Sequence, residues 1–136
     1  MRSFSFMHAI ATLVLLAAFT STSATAQPPA DDVVGRWIGV WQNSNGSEGQ
    51  DHLVVREFSD GRIEGVWGKD YHIVGRRIGF DRYAWEAQSG NKYYRANAQL
   101  VSGGERLVVQ YTVDTIGNGR RHEGRSQMTR AGFRPY

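Results

Sequence analysis

The chain has 136 residues, of which 40% are hydrophobic and 21% are charged, and it contains no cysteine. Its formal net charge is +3, and the basic residues are scattered among acidic ones in runs no longer than two. Binding to nucleic acid would require lysine and arginine clustered on one face, so the charge pattern argues against a nucleic-acid partner. Without cysteine, the chain cannot form disulfides or thiolate metal sites.

The first 26 residues are typical of a secretory signal peptide. Arg2 supplies the positive charge, and an apolar run follows from Ala9 to Phe19. The segment ends in Ala24-Thr25-Ala26, whose small residues suit signal peptidase, so we expect cleavage before Gln27. The apolar run is about half of the ~20 residues that a membrane span needs. We therefore predict no membrane span after signal cleavage.

The composition of the mature chain indicates where the protein resides. Removal of Arg2 leaves fifteen basic and thirteen acidic residues, a net charge of +2. The full chain contains fourteen arginines but only two lysines, Lys69 and Lys92. Eukaryotic secreted domains of this size usually carry disulfides. Export without cysteine, together with the arginine excess, favours a bacterial protein that is periplasmic or secreted.

After a polar, proline-bearing lead-in at residues 27–32, which we expect to be flexible, residues 33–136 form one predicted β domain. From Val33 onward the apolar residues recur with a period of two, and turn-forming glycines separate the segments. The predicted strands are Val33–Gln42, Asp51–Phe58, Arg62–Gly68, Tyr71–Val74, Ile78–Gln88, Lys92–Leu100, Glu105–Asp114 and Arg121–Arg130.

Eight short strands joined by hairpin-length loops, with no helix of two turns or more, predict an all-β fold. An open meander of this kind would expose two unpaired edges. Closure into a single up-and-down antiparallel β-barrel of about eight strands removes those edges. A two-sheet β-sandwich is the alternative.

Aromatic residues and glycines share the predicted inward faces. Large rings beside Gly39, Gly65 and Gly124 would leave a shaped void, and an eight-stranded barrel is wide enough to hold one small ligand. In the alternative interpretation, the rings form an ordinary core and the glycines mark strand bends. Aromatic walls suit a small amphipathic or aromatic molecule. The predicted ligand-binding residues are Trp41, Trp67, Tyr94 and Tyr111.

His122 is the histidine that the alternation places inward, and its charge changes near neutral pH. An alternative function is therefore a cofactor-free lyase, isomerase or cyclase in which His122, Tyr111 or Tyr71 moves a proton. The histidines lack metal-ligand spacing, so we expect neither a metal nor a cofactor. The sequence leaves open whether the protein is an enzyme.

A third interpretation is a periplasmic protein-binding or inhibitor module. Tyr83 and Trp85 lie on the fifth predicted strand, and Tyr93 lies on the polar face of the sixth. If these rings were exposed together, they would form an aromatic patch of the kind found at interfaces. Such a patch could also pair subunits, so a homo-oligomer is possible.

The motif Gly35-Arg36-Trp37 resembles the G-x-W that opens lipocalins and other calycin barrels, avidins included. Ser59-Asp60-Gly61 followed by Ile63-Glu64-Gly65 is also similar to avidins. The resemblance implies that Trp37 closes one barrel end and that Arg130, at the end of the last strand, packs across its ring. Both residues would then serve structure. The biotin-contacting pattern of avidins does not recur here, so the resemblance does not imply biotin binding.

Overall fold

A computed structural model describes residues 32–131 of the chain. The predicted signal peptide, residues 1–26, and all but the last residue of the lead-in lie outside the described residues. Within the described range, no helix is long and apolar enough to cross a membrane. The strands are β1 (Gly35–Asn43), β2 (Glu48–Glu57), β3 (Arg62–Trp67), β4 (Tyr71–Arg77), β5 (Arg82–Ser89), β6 (Lys92–Val101), β7 (Arg106–Thr115) and β8 (Arg121–Arg130), with one 3₁₀ turn at Ser102–Gly104.

The eight strands form a closed antiparallel barrel in which each strand pairs with the next along the chain. Closure comes from β1 and β8, which pair from Trp37 opposite Arg130 to Asn43 opposite Gly124. The predicted up-and-down barrel is confirmed, and the sandwich alternative is wrong. Closure satisfies the backbone groups that the two terminal strands would otherwise leave unpaired.

Several strand boundaries differ from the prediction, most of all at the start of β2 and around the turn between β4 and β5, where β5 begins at Arg82 and not at Ile78. Strand β2 starts at Glu48, not Asp51, and Glu48 pairs with Gln42 across a short turn. The predicted turn at Gly75 is an extended part of β4 instead. A Cβ on Gly75 would lie 2.0 Å from the carbonyl oxygen of Ala84, so this glycine permits close strand approach.

The barrel core contains the alternating inward residues of all eight strands. Trp37, Leu53, Ile63, Ile73 and Tyr83 are each completely buried. Trp67 and Tyr111, which the sequence predicted to point inward, are buried as expected, because side chains in a strand alternate between the two faces.

The inward glycines do not leave a void. A Cβ on Gly39 or on Gly65 would lie within 2 Å of a carbonyl oxygen, that of Gln127 or Val54 respectively. These glycines therefore allow neighbouring strands to come close, which neither the void nor the strand bends of the sequence analysis anticipated. The cavity described below owes its shape to the aromatic rings instead.

Candidate functional site

One end of the barrel is closed by Trp37 and Arg130. The Arg130 guanidinium carbon lies 4.4 Å from the centre of the Trp37 ring. The indole N–H of Trp37 donates to the carbonyl of Val33 at 2.9 Å. Arg130 donates to the carbonyls of Gly104 at 2.8 Å and Val34 at 2.9 Å, and also to that of Asp32. The cation–π contact and the hydrogen bonds from the planar guanidinium group therefore hold the segment that precedes β1 across this end of the barrel.

Tyr83 extends this network around the closed end. Its hydroxyl accepts a hydrogen bond from the backbone N–H of Val33 at 3.2 Å and donates to Glu57 at 3.3 Å. Glu57 also pairs with Arg77 at 3.0 Å. Burial, followed by the negative charge of Glu57, raises the pKa of Tyr83 to about 12.

The condition for an aromatic surface patch, joint exposure of Tyr83, Trp85 and Tyr93, is not met. Tyr83 is 0% exposed and Trp85 is 2% exposed, because both point into the barrel. Only Tyr93 of the proposed trio lies on the outer face, where the Arg95 guanidinium carbon is 5.3 Å from its ring centre. The strand alternation therefore removes the feature on which the protein-binding alternative depended.

The opposite end of the barrel holds a cavity of about 480 Å³. Its wall contains all four predicted ligand-binding residues, and it also contains the predicted acid–base residues Tyr71 and His122. The lining comprises Trp41, Asn43, Gly49, Gln50, Asp51, His52, Trp67, Gly68, Lys69, Tyr71, Lys92, Tyr94, Tyr111, Val113 and His122.

Trp67 organises the aromatic wall of this cavity. Its ring meets Tyr94 edge to face, with centres 5.7 Å apart, and meets Tyr111 in the same way at 5.3 Å. Tyr71 lies against Tyr94 with ring centres 5.0 Å apart. Edge-to-face pairs of this kind are favourable and hold one another's orientation. The wall is therefore formed by interlocked rings and is largely fixed before any ligand arrives.

The phenol groups at the cavity act as neutral hydrogen-bonding groups. Tyr111 donates to the side-chain oxygen of Asn43 at 2.7 Å, and Tyr94 donates to Tyr71 at 3.4 Å. Burial, helped by the charge of Asp51, raises the pKa of Tyr111 to about 12. Burial and the hydrogen bond to Tyr71 raise the pKa of Tyr94 further. These phenols stay protonated at neutral pH.

Gly124 shapes the cavity through Tyr111. A Cβ at this position would lie 2.3–2.5 Å from three atoms of the Tyr111 phenol, including its hydroxyl oxygen. Gly124 lies directly opposite Tyr111 on the neighbouring strand. The phenol therefore occupies the space that a side chain on β8 would fill, and this packing turns the ring toward Asn43.

Asp51 is a cavity residue that the sequence analysis missed. The residue is buried, with 5% of its surface exposed. One oxygen, Oδ2, accepts hydrogen bonds from the Trp67 indole N–H at 2.9 Å and from the Ser126 hydroxyl at 2.6 Å. The other oxygen accepts from the backbone N–H of His52 at 3.0 Å. The alternation of Asp51 with buried Leu53 and Val55 was the available signal, but the strand was expected to begin at Asp51.

His122 lies at the cavity and is half-buried, opposite Val113 on β7. Within residues 32–131 its imidazole makes no side-chain hydrogen bond, so no paired acid or base accompanies it. Among the same residues, no three histidine, aspartate or glutamate side chains are grouped to hold a metal ion. The acid–base role of His122, Tyr111 and Tyr71 stays a prediction.

A larger depression of about 780 Å³ lies on the exposed side of β6, β7 and β8. Its walls are mainly polar outward side chains, including Arg95, Gln110 and Arg125. It is open to solvent, whereas small-molecule sites are usually concave and mostly apolar. The aromatic cavity is therefore the better candidate site, although the outer depression is larger.

The closed meander, the tryptophan–arginine pair at one end and the aromatic cavity at the other define a calycin-like small β-barrel. The chain matches no protein-family model and none of the curated proteins with which it was compared.

Solved structures share this barrel at low sequence identity. Rhizavidin in its biotin complex is 16% identical with a TM-score of 0.53, and the match covers 80% of this chain and 100% of rhizavidin. The redesigned barrel mFAP1 bound to DFHBI is 15% identical with a TM-score of 0.55, covering 72% and 94%. Apo shwanavidin is 13% identical with a TM-score of 0.51, covering 68% and 96%. The avidin-like barrel predicted from Gly35-Arg36-Trp37 is confirmed as a fold.

Proposed function

We propose that this protein is an exported binding protein for a small amphipathic or aromatic molecule, which it holds in the cavity at the open end of the barrel. The observation that carries this proposal is the cavity of about 480 Å³ walled by interlocked aromatic rings. Its volume falls in the range of roughly 300–1,000 Å³ that is usual for small-molecule sites.

The two ends of the barrel divide stability and binding between them. Arg130 and Trp37 close one end with protein groups alone. At the other end, the rings of Trp41 and Tyr94 border the cavity and remain partly exposed. A ligand that covers these rings would remove apolar surface from water, at about 25 cal/mol for each square ångström.

The neighbouring barrels support this class of function. Rhizavidin was solved with biotin and mFAP1 with DFHBI, so both hold a small molecule. Neither ligand is transferred to this chain, because the likeness concerns the fold. A drug-sized ligand of about twenty heavy atoms, at about 0.3 kcal/mol each, would bind with a dissociation constant of tens of micromolar.

Binding is tested by titrating the purified mature protein with a panel of flat aromatic and amphipathic molecules while tryptophan emission is followed. We expect saturable quenching by some members. Trp41→Ala should weaken binding at least tenfold, because it removes a cavity wall. The matched control is Phe80→Ala, since Phe80 is 79% exposed and lies outside the cavity. Absence of saturable binding throughout the panel, or equal losses in the two variants, would contradict the proposal.

Export and location are tested by expressing the full chain in a bacterium. We expect the protein in the periplasm or the medium. Its mass should equal that of a chain that begins at Gln27. Full-length protein retained in the membrane fraction would contradict cleavage. Light scattering on the same material measures the number of subunits and tests for a homo-oligomer.

A further inference from the structure

We propose that the cavity selects ligands that carry a protonated nitrogen, such as an aromatic or partly apolar amine, and that the Asp51 carboxylate binds that nitrogen. This inference rests on the proposed small-molecule function and specifies its ligand class. It starts from an acidic residue that is 5% exposed and yet contributes to the cavity wall.

Neutral donors account for all the hydrogen bonds that Asp51 receives. They are the Trp67 indole N–H at 2.9 Å, the Ser126 hydroxyl at 2.6 Å and the His52 backbone N–H at 3.0 Å. Among residues 32–131, the ion pairs join other acids to arginine, and none includes Asp51. Buried charges are usually paired. A cationic ligand would supply the missing partner.

Asp51 has acceptor capacity left for such a ligand. A carboxylate offers about four acceptor positions, two on each oxygen. Trp67 and Ser126 occupy the two on Oδ2, whereas His52 occupies one on Oδ1. The remaining position on Oδ1 can accept an N–H from the cavity, and a charge-assisted bond of this kind is about twice as strong as a neutral one.

The surrounding rings favour the same ligand. The faces of Trp and Tyr rings attract cations, and Trp67, Tyr94 and Tyr111 surround the inner cavity. The Tyr111 hydroxyl stays neutral, because burial raises its pKa to about 12. Asp51 is therefore the anionic group that meets a ligand in this cavity, among the residues that line it.

The cavity wall also contains four basic side chains, two lysines and two histidines: Lys69, Lys92, His52 and His122. Both lysines and His52 are exposed, and His122 is half-buried. Solvent and salt screen exposed charges over about 8 Å at physiological ionic strength. A buried carboxylate is screened much less. We therefore expect Asp51 to determine which ligand charge is preferred in the part of the cavity that lies deepest in the barrel.

The experiment compares three probes of one shape: 2-naphthylethylamine, 2-naphthylethanol and 2-naphthylacetate. Calorimetry at pH 7 measures their affinities for the mature wild-type protein. We expect the amine to bind at least tenfold more tightly than the alcohol, and the acid to bind most weakly. Asp51→Asn should reduce the amine to the affinity of the alcohol while changing the alcohol less than about threefold. The matched control is Glu64→Gln, which removes a surface carboxylate paired with Arg56 and should leave the amine preference intact.

The outcomes separate the two proposals. Equal affinity for amine and alcohol in the wild-type protein, or tightest binding of the acid, overturns the amine preference but leaves small-molecule binding standing. Failure of all three probes to bind, together with the wider panel, overturns both. The wild-type comparison remains decisive if Asp51→Asn does not fold, which circular dichroism would reveal. An undiminished amine preference in folded Asp51→Asn also overturns the role of Asp51.

Discussion

Trp37 and Trp41 lie four residues apart on the same face of β1, and yet they have opposite environments. Trp37 is completely buried, with its indole N–H bonded to Val33 and the Arg130 guanidinium over its ring. Trp41 is only partly buried and lies at the cavity. The difference shows that residue type and strand face do not decide whether a ring is buried or borders a cavity. The cover that other segments provide decides it.

The polar groups at the two ends differ in the same way. At the closed end, the hydroxyl of Tyr83 both accepts from Val33 and donates to Glu57. At the open end, Asp51 retains a free acceptor position and the phenols line the cavity. Satisfied groups contribute to stability, whereas a preformed wall with spare hydrogen-bonding capacity favours ligand binding.

The largest expected effect comes from truncating the two tryptophans. Trp37→Ala should lower the free energy of unfolding by about 3–5 kcal/mol, because it empties a fully buried site and leaves the Val33 carbonyl unpaired. Trp41→Ala should cost less, since its ring is partly exposed already and truncation removes less buried surface. Urea denaturation measures both changes. The structure implies that the closed end contributes more to stability than the open end. Equal losses in the two variants would contradict this.

A smaller effect is expected from Gly124→Ala at the open end. The new methyl group would overlap the Tyr111 ring, which must move and break its hydrogen bond to Asn43. We expect a loss of about 1–3 kcal/mol in unfolding free energy and weaker binding of aromatic probes. A double-mutant cycle with Tyr111→Ala provides the control, because the cost of Gly124→Ala should nearly vanish when the ring is absent. Additive losses in that cycle would contradict this packing.

The smallest effect concerns alkaline pH. The pKa of Tyr83 is raised to about 12 by burial and by Glu57, while in the unfolded chain it is about 10. In the folded state Tyr83 therefore keeps its proton up to a higher pH than in the unfolded chain. The stability that this difference provides is complete below pH 10 and is lost as the pH rises toward 12. Tyr111 at the open end, with a pKa of about 12, should add to the same loss.

Denaturation at pH 7 and at several values from 9 to 12 would measure this dependence. Tyr83→Phe should reduce the alkaline loss and should cost about 1 kcal/mol at pH 7, because the N–H of Val33 loses its partner. A pH dependence identical in the wild type and in Tyr83→Phe would contradict the assignment to this phenol.

Much of the fold follows from local pattern. Alternation with a period of two placed Trp67, Tyr94 and Tyr111 on inward faces without any knowledge of their neighbours. The turn at Ser59-Asp60-Gly61 was also legible, because glycine adopts positive φ without steric cost, and Gly61 has φ of +87°. The same reasoning failed at Gly75, where a glycine that suggested a turn instead allows close contact with β5.

Only part of the site could be predicted from the sequence, again because a strand boundary was misplaced. The aromatic wall was predicted from the inward faces, but the start of β2 was placed three residues late. Asp51 therefore lay at the first position of the predicted strand, and no inward role was predicted for it. The pairing of Gln42 with Glu48 makes Asp51 an interior residue of the strand, and the alternation then directs its carboxylate inward.

The amino-acid sequence by itself determined the strands, their inward faces and the need for closure, because these depend on side chains two residues apart and on unpaired edges. The resemblance had predicted that Trp37 and Arg130 close one end, but only the tertiary structure showed which carbonyl groups Arg130 holds there and where the acidic group lies. Ser126 meets Asp51 from 75 residues away, and Arg130 reaches Val34 from 96 residues away. Such contacts depend on the register around the whole barrel, which no local pattern specifies.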